Sequence, residues 1–168
     1  FRKVFDAPQG AADVPVLLAL TADDEYEVFI NGQPAAQTWG QLNDWRRMRF
    51  VNVAKHVKPG RNLIAVAVTN GRPGPTGLLA ALTFADGTAV PTDAGWTASA
   101  QAPQGWNEAA EGFSQDGWKA AAVAGAADCQ PWGKIERQVE TASPAFEKTF
   151  AVARAVREAT LHITGVGF

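Results

Sequence analysis

The sequence is poor in the residues that build several common functional centres. It has one cysteine, Cys129, and two histidines, His56 and His162, which lie far apart in the chain. A single cysteine excludes an intrachain disulfide framework and a metal site made of several cysteines. The longest basic run is Arg46-Arg47, and the formal net charge is −2. Together these features argue against nucleic acid as a partner.

Long apolar runs are also missing. No uninterrupted stretch approaches the roughly 20 residues of a membrane-spanning helix, and the first residues, FRKVF, are typical of a strand and not of a signal peptide. We therefore expect no membrane partner, and we expect the chain to be a piece of a longer protein. The hydrophobic content of 46% and the charged content of 19% are typical of a globular domain with its own core.

The most informative stretch is residues 21–32, TADDEYEVFING. From Glu25 to Ile30, two sets of side chains alternate, which is the period-2 pattern of a strand with two different faces. The pair Asn31-Gly32 is the strongest two-residue signal for a β-hairpin, because a type I′ turn needs positive φ at both central positions. The stretch therefore predicts a strand that ends in a tight hairpin.

Other segments repeat this alternation of strands and turn residues. Residues 63–69 (LIAVAVT) predict a central strand with Gly/Pro turns around it. Residues 33–45 have few periodic apolar positions, so we expect a long surface loop there, and residues 120–127 are compatible with one or two helical turns. The whole pattern predicts an all-β fold, an antiparallel β-sandwich of jelly-roll type. Further strands are expected at residues 1–5, 14–21, 48–53 and 78–84.

An enzyme centre is not predicted within the chain. A glycosidase needs two carboxylates about 5 to 10 Å apart across a sugar, whereas Asp23 and Glu25 would share one strand face with no opposing wall. The sequence contains no Gly-x-Ser-x-Gly elbow, phosphate-binding loop or His-Glu-x-x-His helix. We interpret His56 and His162 as surface or packing residues and Cys129 as an incidental thiol.

A cation site has better support. Asp23 and Asp24 are adjacent carboxylates before a strand, and such a pair is costly unless it stays solvated or shares a cation. Calcium takes about six to eight oxygen ligands, often from loops with unpaired carbonyls. The loop from Asn70 to Pro75 offers an amide and carbonyl oxygens, and two oxygens of a sugar diol can complete the shell. The alternative is that the aspartates are only solvated and the loop is only a turn.

The sequence is rich in tryptophan, with six against one tyrosine. A tryptophan can fill a core or can form a platform for the apolar face of a sugar. Trp45, beside two arginines in a polar loop, is the candidate platform, and Trp39 is a weaker one. For both, partial burial as a loop anchor is the alternative. Among the others, Trp106 is undecided, and three that lie among turn residues are interpreted as anchors: Trp96, Trp118 and Trp132.

Several motifs together resemble the N-terminal β-sandwich modules of bacterial α-L-rhamnosidases. They are FRKVF, TADDEYEVFING, VKPGRNLIAVAVTN, PTGLLAAL, TDAGW, DGW and PWG, and they cover about residues 1–135. The resemblance implies a galactose-binding-like jelly roll. The catalytic helical barrel of these enzymes is absent, so their activity does not carry over to this chain. One such module is a carbohydrate-binding module that holds L-rhamnose through a calcium ion (Ca²⁺).

This resemblance implies a set of site residues. Asp23 and Asp24 would be metal ligands that also contact the sugar, and Trp45 would stack on it. Asn70 and Pro75, the first and last residues of the loop, would be further metal and sugar ligands. Asp24 departs from the family, which often has Asn at that position, but it still offers an oxygen. The implied partners are L-rhamnose-containing glycans and the rest of a parent enzyme, which we expect to be periplasmic or secreted.

The tail, FEKTFAVARAVREATLHITGVGF, looks like the start of the next β-domain in these enzymes. We therefore expect a carbohydrate-binding β-sandwich over residues 1–144 and the start of a following β-domain over residues 145–168. The alternative for the tail is a strand pair that returns to the first sheet. A functional alternative also stays open, namely a structural sandwich that packs against a catalytic domain without binding sugar.

Overall fold

The structure, a computed structural model, describes residues 1–38, 45–71, 73–74, 76–108, 116–130 and 132–137. These residues form strands and two short 3₁₀ turns, Ala11–Asp13 and Ala54–His56, and none of them is in an α-helix. No helix in this part of the chain has the length and apolar character needed to cross a membrane. The strands are β1 (Arg2–Ala7), β2 (Leu17–Asp23), β3 (Glu25–Ile30), β4 (Gln33–Gln37), β5 (Arg47–Asn52), β6 (Gly60–Thr69), β7 (Gly77–Thr83), β8 (Ala89–Pro91), β9 (Thr97–Ala98), β10 (Lys119–Ala120) and β11 (Glu136–Arg137).

The strands form two sheets that pack as a sandwich. One sheet has the order β10-β9-β1-β6-β3-β4 and the other has the order β11-β5-β2-β7-β8. All pairs are antiparallel except β11 with β5, which is parallel. The predicted all-β, antiparallel sandwich is therefore confirmed, and so is the internal position of residues 63–69, which lie in β6 between β1 and β3.

The core lies between the sheets and follows from the alternation along each strand. In β2, Leu18, Leu20 and Ala22 are buried, and in β3 the buried residues are Tyr26, Val28 and Ile30. Successive side chains point to opposite faces, and the intervening residues of these strands are exposed or half-buried except Thr21, which is 2% exposed. Other members of the core are Phe5, Val16, Val53, Val57, Ile64, Val66, Leu82, Phe84 and Trp96.

The predicted hairpin is present. Asn31 and Gly32 have φ of 52° and 80°, so both central residues are in the left-handed region that a type I′ turn requires. The return strand, β4, corrects the expectation of a surface loop over residues 33–45 for residues 33–37, whereas residues 39–44 lie outside the described residues. This edge strand pairs with β3 through a register shift between Val28 and Phe29, and its residues are exposed or half-buried. Without a buried face it has no apolar period, which is why the pattern failed to reveal it.

The expected helical turns over residues 120–127 are absent. Ala120 ends β10, and the chain after it, which includes Gly125 and several exposed alanines, is irregular. The predicted domain boundary at 144/145, and with it the interpretation of residues 145–168, lies outside the described residues.

Candidate functional site

The predicted acidic pair lies where the chain passes from one sheet to the other. Asp23 is the last residue of β2 and pairs with Gly77 of β7 in the five-stranded sheet. The next residue, Asp24, donates its backbone N–H to the carbonyl oxygen of Thr69 in β6, at 3.2 Å, and so belongs to the six-stranded sheet. The peptide bond between the two aspartates is cis. Both side chains are half-buried at this end of the sandwich.

The two carboxyl groups influence each other. Burial, a hydrogen bond to the Asp24 side chain and repulsion by its charge all raise the pKa of Asp23 above its usual value of 3.8. Asp24 Oδ2 also accepts a hydrogen bond from the backbone N–H of Gly71, at 2.9 Å. Asp23 therefore holds its proton more tightly than an isolated aspartate does, and a cation placed between the carboxylates would remove the same repulsion.

The loop that follows β6 closes against this pair from two sides. Its first residues reach Asp24 through Gly71, and its last residue, Gly77, pairs with Asp23. Inside the loop, Asn70 Nδ2 donates to Thr76 Oγ1 at 3.0 Å and to the carbonyl oxygen of Gly74 at 3.4 Å. The structure thus brings three predicted site residues, Asp23, Asp24 and Asn70, to one end of the sandwich. The other predicted residue of the loop, Pro75, lies outside the described residues.

Trp45 reaches the same end of the sheet through its backbone. Thr21 Oγ1, two residues before Asp23 on β2, donates to the carbonyl oxygen of Trp45 at 2.8 Å. The Trp45 side chain is half-buried, and the guanidinium carbon of Arg46 lies 4.7 Å from its ring centroid. Arg46 itself is exposed. Stacking of a sugar on Trp45 stays a prediction, as does the weaker platform Trp39, which lies outside the described residues.

The anchor interpretation of the other tryptophans is confirmed for Trp96 and Trp132, whose side chains are 2% and 5% exposed. Trp118 is half-buried and stacks on Trp106 with ring centroids 6.3 Å apart. Trp132 also has a role that the sequence pattern did not reveal, since its ring lies directly on Gly77 beside the acidic pair.

The site could hold a cation, but its described side chains alone do not make a complete metal centre. Among the residues the structure describes, no group of three or more His, Cys, Asp or Glu side chains surrounds a common point. Two carboxylates and a loop with amide and carbonyl oxygens are instead a donor set suited to a hard cation such as calcium. Such an ion would take its remaining oxygens from water or from a ligand.

The sequence and the fold of this chain are both similar to part of a known protein. No family model matches the chain. An α-L-rhamnosidase of Streptomyces avermitilis is 32% identical over 173 residues, which span 99% of this chain and 16% of that protein. A crystal structure of the Streptomyces avermitilis α-L-rhamnosidase complexed with L-rhamnose matches with a TM-score of 0.72 and 34% identity. This match covers 81% of this chain and 13% of the rhamnosidase chain.

Two further structures share the fold. A lectin from Pleurotus ostreatus in complex with GalNAc has a TM-score of 0.61 and 26% identity, over 80% of this chain and 39% of the lectin. The Aspergillus terreus α-L-rhamnosidase, at 24% identity and a TM-score of 0.53 over 70% of this chain and 18% of its own, supports the fold alone.

The chain spans about one sixth of the length of the curated relative it matches, which is the size of an accessory domain and far less than a whole enzyme. The predicted resemblance to the rhamnosidases is confirmed. The chain is homologous to one β-sandwich segment of the Streptomyces avermitilis α-L-rhamnosidase.

Proposed function

We propose that this domain is a non-catalytic carbohydrate-binding module of a rhamnosidase-like glycoside hydrolase, and that it binds terminal L-rhamnose with the help of Ca²⁺. The main support is the convergence of the acidic pair and the loop over residues 70–77, through the Asp24–Gly71 hydrogen bond and the Asp23–Gly77 pairing. The similarity to a rhamnosidase solved with L-rhamnose and to a sugar-bound lectin supports carbohydrate as the ligand class.

Calcium is a suitable ion because the described residues of the acidic pair and its loop offer carboxylate, amide and carbonyl oxygens. Asp23 and Asp24 would supply the charge, and the loop from Asn70 to Pro75 would supply neutral oxygens. When bound, the ion would offer coordination positions to two neighbouring hydroxyl oxygens of a sugar. It would also stabilise both carboxylates in their charged form and so oppose the burial and repulsion that raise the pKa of Asp23.

Trp45 would contribute apolar contact to the same ligand. One face of its ring is occupied by Arg46, and a pyranose can pack its C–H groups on an indole. A neutral monosaccharide makes few contacts, so we expect weak affinity, with a dissociation constant on the order of 0.01 to 1 mM, or about −4 to −7 kcal/mol. The parent enzyme, and not this domain, would carry the catalytic residues.

Isothermal titration of the 168-residue chain with L-rhamnose, in calcium and in excess chelator, tests the proposal. We expect binding only in calcium, and we expect Asp23→Ala to abolish both calcium and sugar binding because the ion loses a charged ligand. Asp86→Ala is the matched control, since Asp86 is an exposed aspartate in the turn at the far end of β7. Asn70→Ala should weaken calcium binding only if the side chain itself is a ligand or holds the loop.

Unchanged rhamnose binding in chelator would remove the ion from the mechanism. Absence of binding by the wild-type chain in calcium would leave the structural alternative, a sandwich that only packs against a catalytic domain.

A further inference from the structure

A short segment joins the two sides of the candidate site. We call residues 132–137 the bridging segment. At its start, the ring of Trp132 lies so close to Gly77 that a Cβ atom on that glycine would be 2.5 Å from Trp132 Cη2 and 3.2 Å from Cζ2. Real Cβ atoms do not tolerate such a distance, so this position needs a glycine as long as the ring stays where it is.

The other end of the bridging segment is held beside Trp45. The backbone N–H of Glu136 donates to the carbonyl oxygen of Arg46 at 2.7 Å, and β11 continues in parallel pairing with Arg47 and Met48 of β5. The segment therefore contacts β7 on one side of the acidic pair and the Trp45–Arg46 turn on the other side.

In the described part of the chain, packing and not a hydrogen bond holds the Trp132 ring. The side chain is 5% exposed, and its Nε1 is out of reach of solvent with no hydrogen-bond partner in the described part of the chain. A buried N–H without a partner costs on the order of 1 to 3 kcal/mol. The ring occupies this position although its N–H has no partner among the described residues, and Gly77 is one of the residues it packs against.

We propose that Trp132 is a positioning residue for the candidate cation and sugar site. Its ring fixes Gly77, and Gly77 pairs with Asp23 and follows Thr76, the residue that holds the Asn70 side chain. A shift of the Trp132 ring would move the Asp23 carboxylate and the end of the loop over residues 70–77 together. The role in ligand binding rests on the function proposed above, whereas the positioning of the loop can be measured without any ligand.

The test is a double-mutant cycle on the contact, made in the 168-residue chain. Gly77→Ala drives a methyl group into the ring, Trp132→Ala removes the ring, and the double variant has neither clash nor ring. Gly74→Ala is the matched control, because it is in the same loop and a Cβ there meets nothing within 4 Å. Trp132→Phe keeps a smaller aromatic ring, and it replaces Trp132→Ala in the cycle if Trp132→Ala does not fold.

Two readouts separate positioning from binding. Amide hydrogen exchange of Gly71, without metal, reports the Gly71–Asp24 hydrogen bond, and titration with L-rhamnose in calcium reports the assembled site. For Gly77→Ala and Trp132→Ala we expect exchange and the sugar dissociation constant each to rise about tenfold, which corresponds to about 1.4 kcal/mol. The double variant should be no worse than Trp132→Ala alone. Gly74→Ala should match the wild type, and Trp132→Phe should lie between wild type and Trp132→Ala.

Two results would overturn the positioning role. One is additive effects of Gly77→Ala and Trp132→Ala, because the methyl group would then act without the ring. The other is Gly71 exchange at the wild-type rate in every folded variant. A wild-type chain that shows no sugar binding, together with the expected exchange results, would refute the proposed function and retain Trp132 as the residue that positions the loop.

Discussion

Two arginine–tryptophan pairs among the described residues have similar distances between guanidinium and ring and different surroundings. The guanidinium carbon of Arg2 lies 5.1 Å from the Trp118 ring centroid, and that of Arg46 lies 4.7 Å from the Trp45 ring centroid. We call the first the closed pair and the second the open pair. Arg2 is 6% exposed, whereas Arg46 is exposed and borders the acidic end of the sandwich.

The closed pair is part of a layer that covers the six-stranded sheet. Trp118 stacks on Trp106 at an interplanar angle of 15°, and Trp106 meets Phe29 of β3 edge-on, with centroids 5.8 Å apart. Arg2 also donates to the carbonyl oxygen of Glu108, at 3.4 Å. Burial lowers the pKa of Arg2, which shows that its charge has lost part of its hydration. The same contact is thus part of a buried layer in one place and involves an exposed arginine in the other.

The largest expected difference between the pairs is in stability. Arg2→Ala should lower the free energy of unfolding by about 2 to 3 kcal/mol, because it removes a buried side chain and its contacts with Trp118 and Glu108. Arg46→Ala should change it by no more than about 0.5 kcal/mol, as for other exposed charges. Urea unfolding followed by tryptophan fluorescence measures both. Equal losses for the two variants would show that exposure does not distinguish the pairs.

Sugar binding should show the reverse difference. Trp45→Ala should raise the dissociation constant for L-rhamnose about tenfold, or about 1.4 kcal/mol, and leave calcium affinity nearly unchanged, because stacking does not involve the ion. Trp118→Ala should lose stability but, in the fraction that is folded, keep both affinities. Separate calorimetric titrations with calcium and with L-rhamnose distinguish these effects. If Trp118→Ala weakened sugar binding as much as Trp45→Ala, the open pair would have no special role.

The sequence predicts the sandwich well because its buried strands carry a local signal. The alternation in β3 and the apolar run in β6 are readable without knowing any partner strand. The acidic pair was also readable, since two adjacent carboxylates are unusual before a strand. The packing partner of each tryptophan could not be predicted from the sequence, because it is set by contacts between distant parts of the chain. Examples are Trp118 with Arg2 and Trp132 with Gly77. The two-residue strand β11 is too short to show any period.

The smallest expected effect depends on the charge of the acidic pair, which lies at the same end of the sandwich as the open pair. In the folded protein the pKa of Asp23 is raised above 3.8, chiefly by burial and then by Asp24. The folded state therefore binds this proton more tightly than the unfolded state does. The resulting stability is fully present below pH 3.8 and is lost as pH rises through the raised pKa. At neutral pH, without metal, the two carboxylates then repel each other.

Asp23→Asn removes this repulsion, so without metal at pH 7 it should melt at the wild-type temperature or about 1 to 2 °C above it. Calcium should raise the melting temperature of the wild type increasingly with pH, because calcium needs the deprotonated carboxyl group, and should leave that of Asp23→Asn unchanged.

Asp86 is a control whose pKa is shifted in the opposite direction. Hydrogen bonds from Thr88 lower its pKa, so its contribution is present above pH 3.8 and is lost as pH falls. Thermal unfolding by circular dichroism at pH 3 and 7, in calcium or chelator, tests the wild type, Asp23→Asn and Asp86→Ala. A calcium response of Asp23→Asn equal to that of the wild type would show that the ion does not bind at the acidic pair.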